Sequence, residues 1–168
     1  MSRELAILVT VAVAVLILVA MAIGWRRRVR RDSALTAPIG VPEHAEVVAR
    51  HEVLYVATTA HDQPLERIAM TPLAYRARGE LALTDRGAAL SLDGAPTVFI
   101  ATERLLAADL ATVAIDRVVE PNGLIRLVWR VTDGTIVDSY LRPASAGSQQ
   151  ILPELQRLVA GSENGEQP

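Results

Sequence analysis

Leu5–Trp25 (LAILVTVAVAVLILVAMAIGW) runs 21 residues without a charge and ends against five arginines, Arg26, Arg27, Arg28, Arg30 and Arg31. As a helix this run is about 30 Å long, the thickness of a bilayer hydrocarbon core. Twelve of its 21 residues are Leu, Ile or Val. They favour insertion by roughly 4–7 kcal/mol in sum. Trp25 stands where an amphipathic ring meets the headgroups. Cations directly after an apolar helix resist translocation, so the expected topology is N-terminus outside and the remainder cytoplasmic, in the plasma (inner) membrane. Trp25, Arg26, Arg27, Arg28, Arg30 and Arg31 are the expected membrane-anchoring residues, and residues 5–25 the bilayer contact. A cleaved signal peptide competes with this, because Ala20-Met21-Ala22 resembles a cleavage site. Against it, Glu4 cancels Arg3, the apolar run outlasts a usual signal, and the cations follow at once. The Arg block is expected where orientation rules alone would put it, rather than as a specific lipid or nucleic-acid site. Ala6, Thr10 and Ala14, with Ala20 and Gly24, form a small-residue stripe compatible with a weak homodimer.

Beyond the anchor the balance of charge reverses. From Asp32 onward 18 acidic residues face 11 arginines, a net −7. That field excludes nucleic acid as an expected partner. Zero cysteines exclude a disulfide scaffold, a thiolate metal site and a cysteine nucleophile.

Pro38, Gly40 and Pro42 interrupt any period between Asp32 and Ala45, which predicts a linker over 32–45. Strand-length apolar runs then alternate with turn sequences. Strands are predicted over Val47–Thr59, Leu73–Arg78, Glu80–Asp85, Ala88–Asp93 and Thr97–Ala101. Leu124–Val131 alternates most clearly, with Ile125, Leu127, Trp129 and Val131 inward and Arg126 and Arg130 outward. It lies between Asn122-Gly123 and Asp133-Gly134, both hairpin signals. Thr135–Leu141 returns with Val137 and Leu141 inward. Leu105–Val118 reads as a helical turn near Arg104–Asp109, then a strand over Thr112–Val118 paired through Asn122-Gly123. Ile151, Leu155, Leu158 and Val159 mark a helix near Ser148–Ala160, capped by Ser148 and ended by Gly161. A polar tail, 161–168, is predicted to be disordered.

The expected fold is therefore one N-terminal transmembrane α-helix plus a mainly-β domain over 46–160. Seven or eight strands bend into a PH-like antiparallel sheet or partial barrel, and a C-terminal helix closes one end. The residues Leu54-Tyr55-Val56-Ala57-Thr58-Thr59, Pro64-Leu65-Glu66-Arg67-Ile68, Asp93-Gly94-Ala95 and Leu127-Val128-Trp129-Arg130 resemble those of actinobacterial single-pass membrane proteins with a bacterial PH-like domain. That group is often described as export or transport proteins, and the resemblance implies no catalytic activity.

Little in the chain looks reactive. His44 and His51, seven apart, face opposite sides of a strand and cannot converge on a metal. His61-Asp62 reads as a turn, since only Thr58, Thr59 and Thr71 are near as nucleophiles. Glu43-His44-Ala45-Glu46 reads as a solvated loop, and Asp109 and Asp116 as separate surface acids. Glu66-Arg67 reads as a partly buried pair fixing the first hairpin or, equally, as an exposed pair contributing under about 1 kcal/mol. No nucleophile elbow, phosphate loop or dinucleotide fingerprint is present. No catalytic residue, metal site or cofactor is expected. The composite expectation is a membrane-tethered interaction or scaffold module with a cytoplasmic or membrane protein partner. Headgroup binding, or an accessory role in transport, is the alternative. Headgroup pockets need clustered cations, and Ala60-His61-Asp62-Gln63-Pro64 supplies no permanent one.

Overall fold

A computed structural model describes residues 3–115, 117–118, 121–145 and 147–164. It divides into two units, Met1–Ala34 and Leu35–Pro168. The first is a single helix, α1 (Arg3–Ala34). Its segment Arg3–Arg27 is the one stretch among the described residues long and apolar enough to cross a membrane.

The second unit is built on a seven-stranded antiparallel sheet. Its strands are β1 (Val47–Ala60), β2 (Ala77–Thr84), β3 (Gly87–Leu92), β4 (Val98–Ala101), β5 (Leu105–Ala111), β8 (Leu124–Arg130) and β9 (Ile136–Pro143). Their order is β4-β3-β2-β1-β9-β8-β5, and a separate two-stranded ribbon joins β6 (Val113–Ala114) to β7 (Arg117–Val118). The long strand β1 is shared. Its first half pairs with β2 and its second half with β9, so the sheet folds over along β1. Between them lies one core of alternating residues, including Leu81, Leu90, Ile125, Leu127, Trp129 and Leu141. The helix α2 (Ser148–Asn164) closes it with Ile151 and Leu155. The bent antiparallel sheet with its C-terminal helix is the expected PH-like arrangement. The inward and outward faces of Leu124–Val131 fall as the alternation predicted, with Trp129 wholly buried.

Several expected boundaries move, each for a local reason. Residues 72–75 are turn and bend rather than the start of a strand, and β2 begins at Ala77 and runs on through the next expected strand to Thr84. The helical turn is Thr102–Arg104, and Leu105–Ala111 is strand. Its apolar density comes from packing on both faces: Leu105 and Ala108 lie in the core, and Ala111 lies beneath the excursion on the other face. Consequently β8 pairs with β5, not with Thr112–Val118. The ribbon of β6 and β7 instead forms an excursion, closed where the Asn122 N–H donates to Thr112 Oγ1 at 3.2 Å. The helix α2 passes Gly161 and runs to Asn164, because Gly161 has no left-handed φ that would end it. Residues 165–168 of the expected tail, and Asp116, lie outside the described residues.

The segment read as a linker also carries structure. Leu35 and Ala37 are buried in the core. The Phe99 N–H donates to the Pro38 carbonyl at 3.0 Å and the Gly40 N–H to the Thr97 carbonyl at 3.1 Å. Residues 38–40 thus cover the edge of β4, which a bare sheet would leave unpaired. The two prolines of this stretch suggested a loop because Pro cannot donate to a ladder, yet their carbonyls still accept.

Candidate functional site

Two polar assemblies lie on opposite faces of the same strands. On the core side, a β-bulge at Val56 shifts the register between β1 and β9. It puts both Tyr55 and Thr58 on the inner face, three residues apart. The Tyr55 hydroxyl lies 2.8 Å from the Leu73 carbonyl and 2.9 Å from Thr58 Oγ1. Thr58 Oγ1 lies 2.7 Å from Ser139 Oγ, which accepts from Trp129 Nε1 at 2.9 Å. A carbonyl can only accept, so Tyr55 donates to Leu73. The other protons then order themselves in one direction: Trp129 to Ser139, Ser139 to Thr58, Thr58 to Tyr55. Every donor in this buried chain is used. Burial, the largest cause, pushes the Tyr55 hydroxyl well above the usual tyrosine range, against the opposing bond from Thr58.

On the outer face the residues are charged. Asp138, on β9, has no solvent exposure. His61 Nδ1 donates to its Oδ1 at 2.8 Å, and the Asp62 backbone N–H to its Oδ2 at 3.1 Å. Arg126, on β8, sits among three carboxylates. Its Nη2 donates to Asp109 Oδ2 at 2.8 Å, while its Nη1 lies 3.3 Å from Asp62 Oδ1 and 3.6 Å from Asp138 Oδ2. The bond to Asp109 is the largest cause raising the Arg126 pKa. Tyr140 packs with Leu124 and Ala114 beneath the excursion. Its hydroxyl is raised chiefly by burial, and further by Asp138 and Asp62. The loop after β1 and the excursion meet where the Ile115 N–H donates to the Pro64 carbonyl at 2.7 Å. Sequence reasoning took His61-Asp62 as a turn and Asp109 as an acid in the turn before a strand. It overlooked Asp138, whose partners lie 12 to 77 residues away. The cross-strand pairing Asp109↔Arg126↔Tyr140 was the available signal, but it depends on knowing that β5 pairs with β8.

His61, Asp62 and Asp138 bring their ligand atoms within 4.8 Å of one another, which suits a metal by distance. Arg126 already holds its charge against both carboxylates there, and a cation entering would meet it at close range. The arrangement acts as a clasp, fastening the 60–64 loop to the sheet.

The remaining expected site residues are dispersed. His51 Nε2 donates to Glu154 Oε2 at 2.8 Å and joins β1 to α2. His44 lies in the turn before β1. Glu66-Arg67 lies where residues 66–68 fold back on β1, through Ala60 N–H to Glu66 carbonyl and Ile68 N–H to Thr58 carbonyl, both at 2.9 Å. Trp25, Arg26 and Arg27 are exposed on α1, and Arg28, Arg30 and Arg31 continue the same helix.

A cleft of about 1280 Å³ opens on the outer face beside the first turn of α2. Glu52, Arg78, Glu80, Asp93 and Arg142 line it. Arg78 and Arg142 flank Leu54 across the sheet, and Glu52 stands opposite Glu80, itself paired with Arg50.

No curated protein matches the chain. The model of the family described as bacterial PH domain-like matches residues 35–156, more than half of the chain. Domains of this type are generally non-catalytic interaction modules. The match begins where Leu35 enters the core and ends within α2, and on that agreement the chain belongs to the bacterial PH domain-like family.

Proposed function

We propose that this protein is a membrane-tethered interaction module, held on the cytoplasmic face by α1 and binding a protein partner through its PH-like domain. The observation that carries this is the joining, in one chain, of a helix apolar enough to span a bilayer to a domain of a non-catalytic family. The five arginines after Trp25 support the cytoplasmic side. Sheet edges are the usual place for a partner strand. Here residues 38–40 cover β4, and Gln156 Nε2 donates to the Ala108 carbonyl of β5 at 3.2 Å. The cleft beside α2 is an open recess, and its charges of both signs suit a peptide with charges of both signs. A headgroup pocket is less well supported, because three acids share the cleft with two arginines.

The test is photocrosslinking in intact cells from positions 54, 78 and 142 of the full chain. One protein captured from all three, and lost with Arg78→Glu plus Arg142→Glu, is the expected result. Lipid adducts alone from these positions would favour headgroup recognition instead.

A further inference from the structure

The cleft beside α2 carries its charges in two rows across the outer face of the sheet. Val53 and Tyr55 are core residues, so Glu52 and Leu54 between and before them face outward. In the first row Arg78 and Arg142 stand on either side of Leu54, each directly opposite it on a neighbouring strand. In the second row, two residues back along β1, Glu52 stands opposite Glu80. Like charges side by side on one face destabilise a sheet. Arg50 pairs with Glu80, but among the described residues no cation pairs with Glu52. Asp93 stands apart from these rows. Its N–H donates to the Arg78 carbonyl from just past β3, on the far side of Arg78 from Leu54.

The spacing of the rows restricts what fits them. Opposite residues on neighbouring strands are about 5 Å apart, which puts Arg78 and Arg142 about 10 Å apart at their Cα atoms. Two long arginine side chains at that separation can meet on one carboxylate. Leu54, half-buried between them, gives that group an apolar floor. Along the strand the two rows are about 6.7 Å apart, the rise of two residues. An extended chain laid along β1 carries its own same-face side chains at the same interval.

Resting on the interaction module proposed above, we propose that the cleft takes an extended peptide with an acidic and a basic side chain two positions apart. The acidic side chain lies over Leu54 between Arg78 and Arg142, and the basic one over Glu52. Such a partner relieves both like-charge juxtapositions at once. An anion alone would meet Glu52, and a cation alone the two arginines. Side chains two apart on an extended chain share a face and those three apart do not, so the interval itself is recognised. At an exposed face these charges select the partner more than they hold it.

Randomised octapeptides displayed on phage would be selected on the full chain in phosphatidylcholine–phosphatidylglycerol nanodiscs, after depletion on empty discs. Peptides with opposite charges two positions apart should be enriched severalfold over those with the same charges three apart. On the Arg78→Glu plus Arg142→Glu chain a basic residue should replace the acidic one among the enriched peptides. On the Glu52→Arg chain an acidic residue should replace the basic one, which tests the second row independently of the first. Enriched peptides without the paired charges, or a preference that neither variant changes, would overturn the charge pattern and leave a peptide-binding module standing. No enrichment over empty discs would overturn the charge pattern and the peptide-binding cleft together.

Discussion

Ser139 and Asp138 are adjacent on β9 and point to opposite faces of one sheet, and each anchors a polar network. The inner one, Tyr55–Thr58–Ser139–Trp129, is neutral, wholly buried, and complete with one proton per link. The outer one, around Asp138, is charged and partly wet. Asp138 itself is buried, while His61 and Arg126 are 39% and 28% exposed. The difference teaches what each is for. A neutral chain with every donor used fixes one arrangement of the core, since any rotation leaves a buried group unpaired. A charged cluster at the rim can lose a contact to water without such a penalty, and so serves to hold loops rather than to define the fold.

The largest expected effect lies on the inner side. Trp129→Ala should lower domain stability by about 3–5 kcal/mol, through the cavity alone. Trp129→Phe, which keeps most of the ring but leaves Ser139 without its donor, should cost about 1–3 kcal/mol. Denaturant titration measures both, and a loss under about 1 kcal/mol for the alanine variant would break the assignment of this face as core.

On the outer side Asp138→Ala should cost less, about 2–3 kcal/mol. A buried partner is removed, but Arg126 keeps Asp109 and Asp62. Its signature is local. Amide exchange should quicken in residues 60–64 and 112–122 before it does in β1 or β8. Uniform loosening of the sheet would show that the two networks do not differ in role.

Smaller still is a pH effect that belongs to both faces. Tyr55 and Tyr140 hold their protons above the usual range because they are buried. Above about pH 10 the unfolded chain releases protons that the folded one retains. Stability should therefore fall as pH rises, by up to about 1.4 kcal/mol per pH unit for each tyrosine. Tyr55→Phe should flatten that fall by about half while Asp138→Asn leaves most of it. A slope unchanged by Tyr55→Phe would place that hydroxyl in contact with water.

Legibility in the sequence followed the range of the interactions. The strand Leu124–Val131 and its buried face could be read because alternation is local and Trp129 fixes its phase. The hairpin turn Asp85-Arg86 could be read for the same reason; Gly87, where a Cβ would run into the Ile100 carbonyl, closes it. The bulge at Val56 could not, since it is a mismatch between β1 and a partner some 80 residues away. Nor could the clasp, because Asp138 gives no sign in a strand that otherwise alternates, and Arg126 looked like one more outward cation. The prolines at 38 and 42 suggested a loop, and only the position of β4 shows what that segment covers.

The claim on which the rest depends is that a PH-like domain is held at the cytoplasmic face by α1. Paired reporters fused at Pro168 in living cells, one active only in the cytoplasm and one only outside it, test this most directly. Activity of the cytoplasmic reporter alone in the membrane fraction, with mixed orientation once all five arginines after Trp25 are neutralised, is the predicted result. Activity of the outside reporter in the unaltered chain, or recovery of the fusion in the soluble fraction, would contradict it.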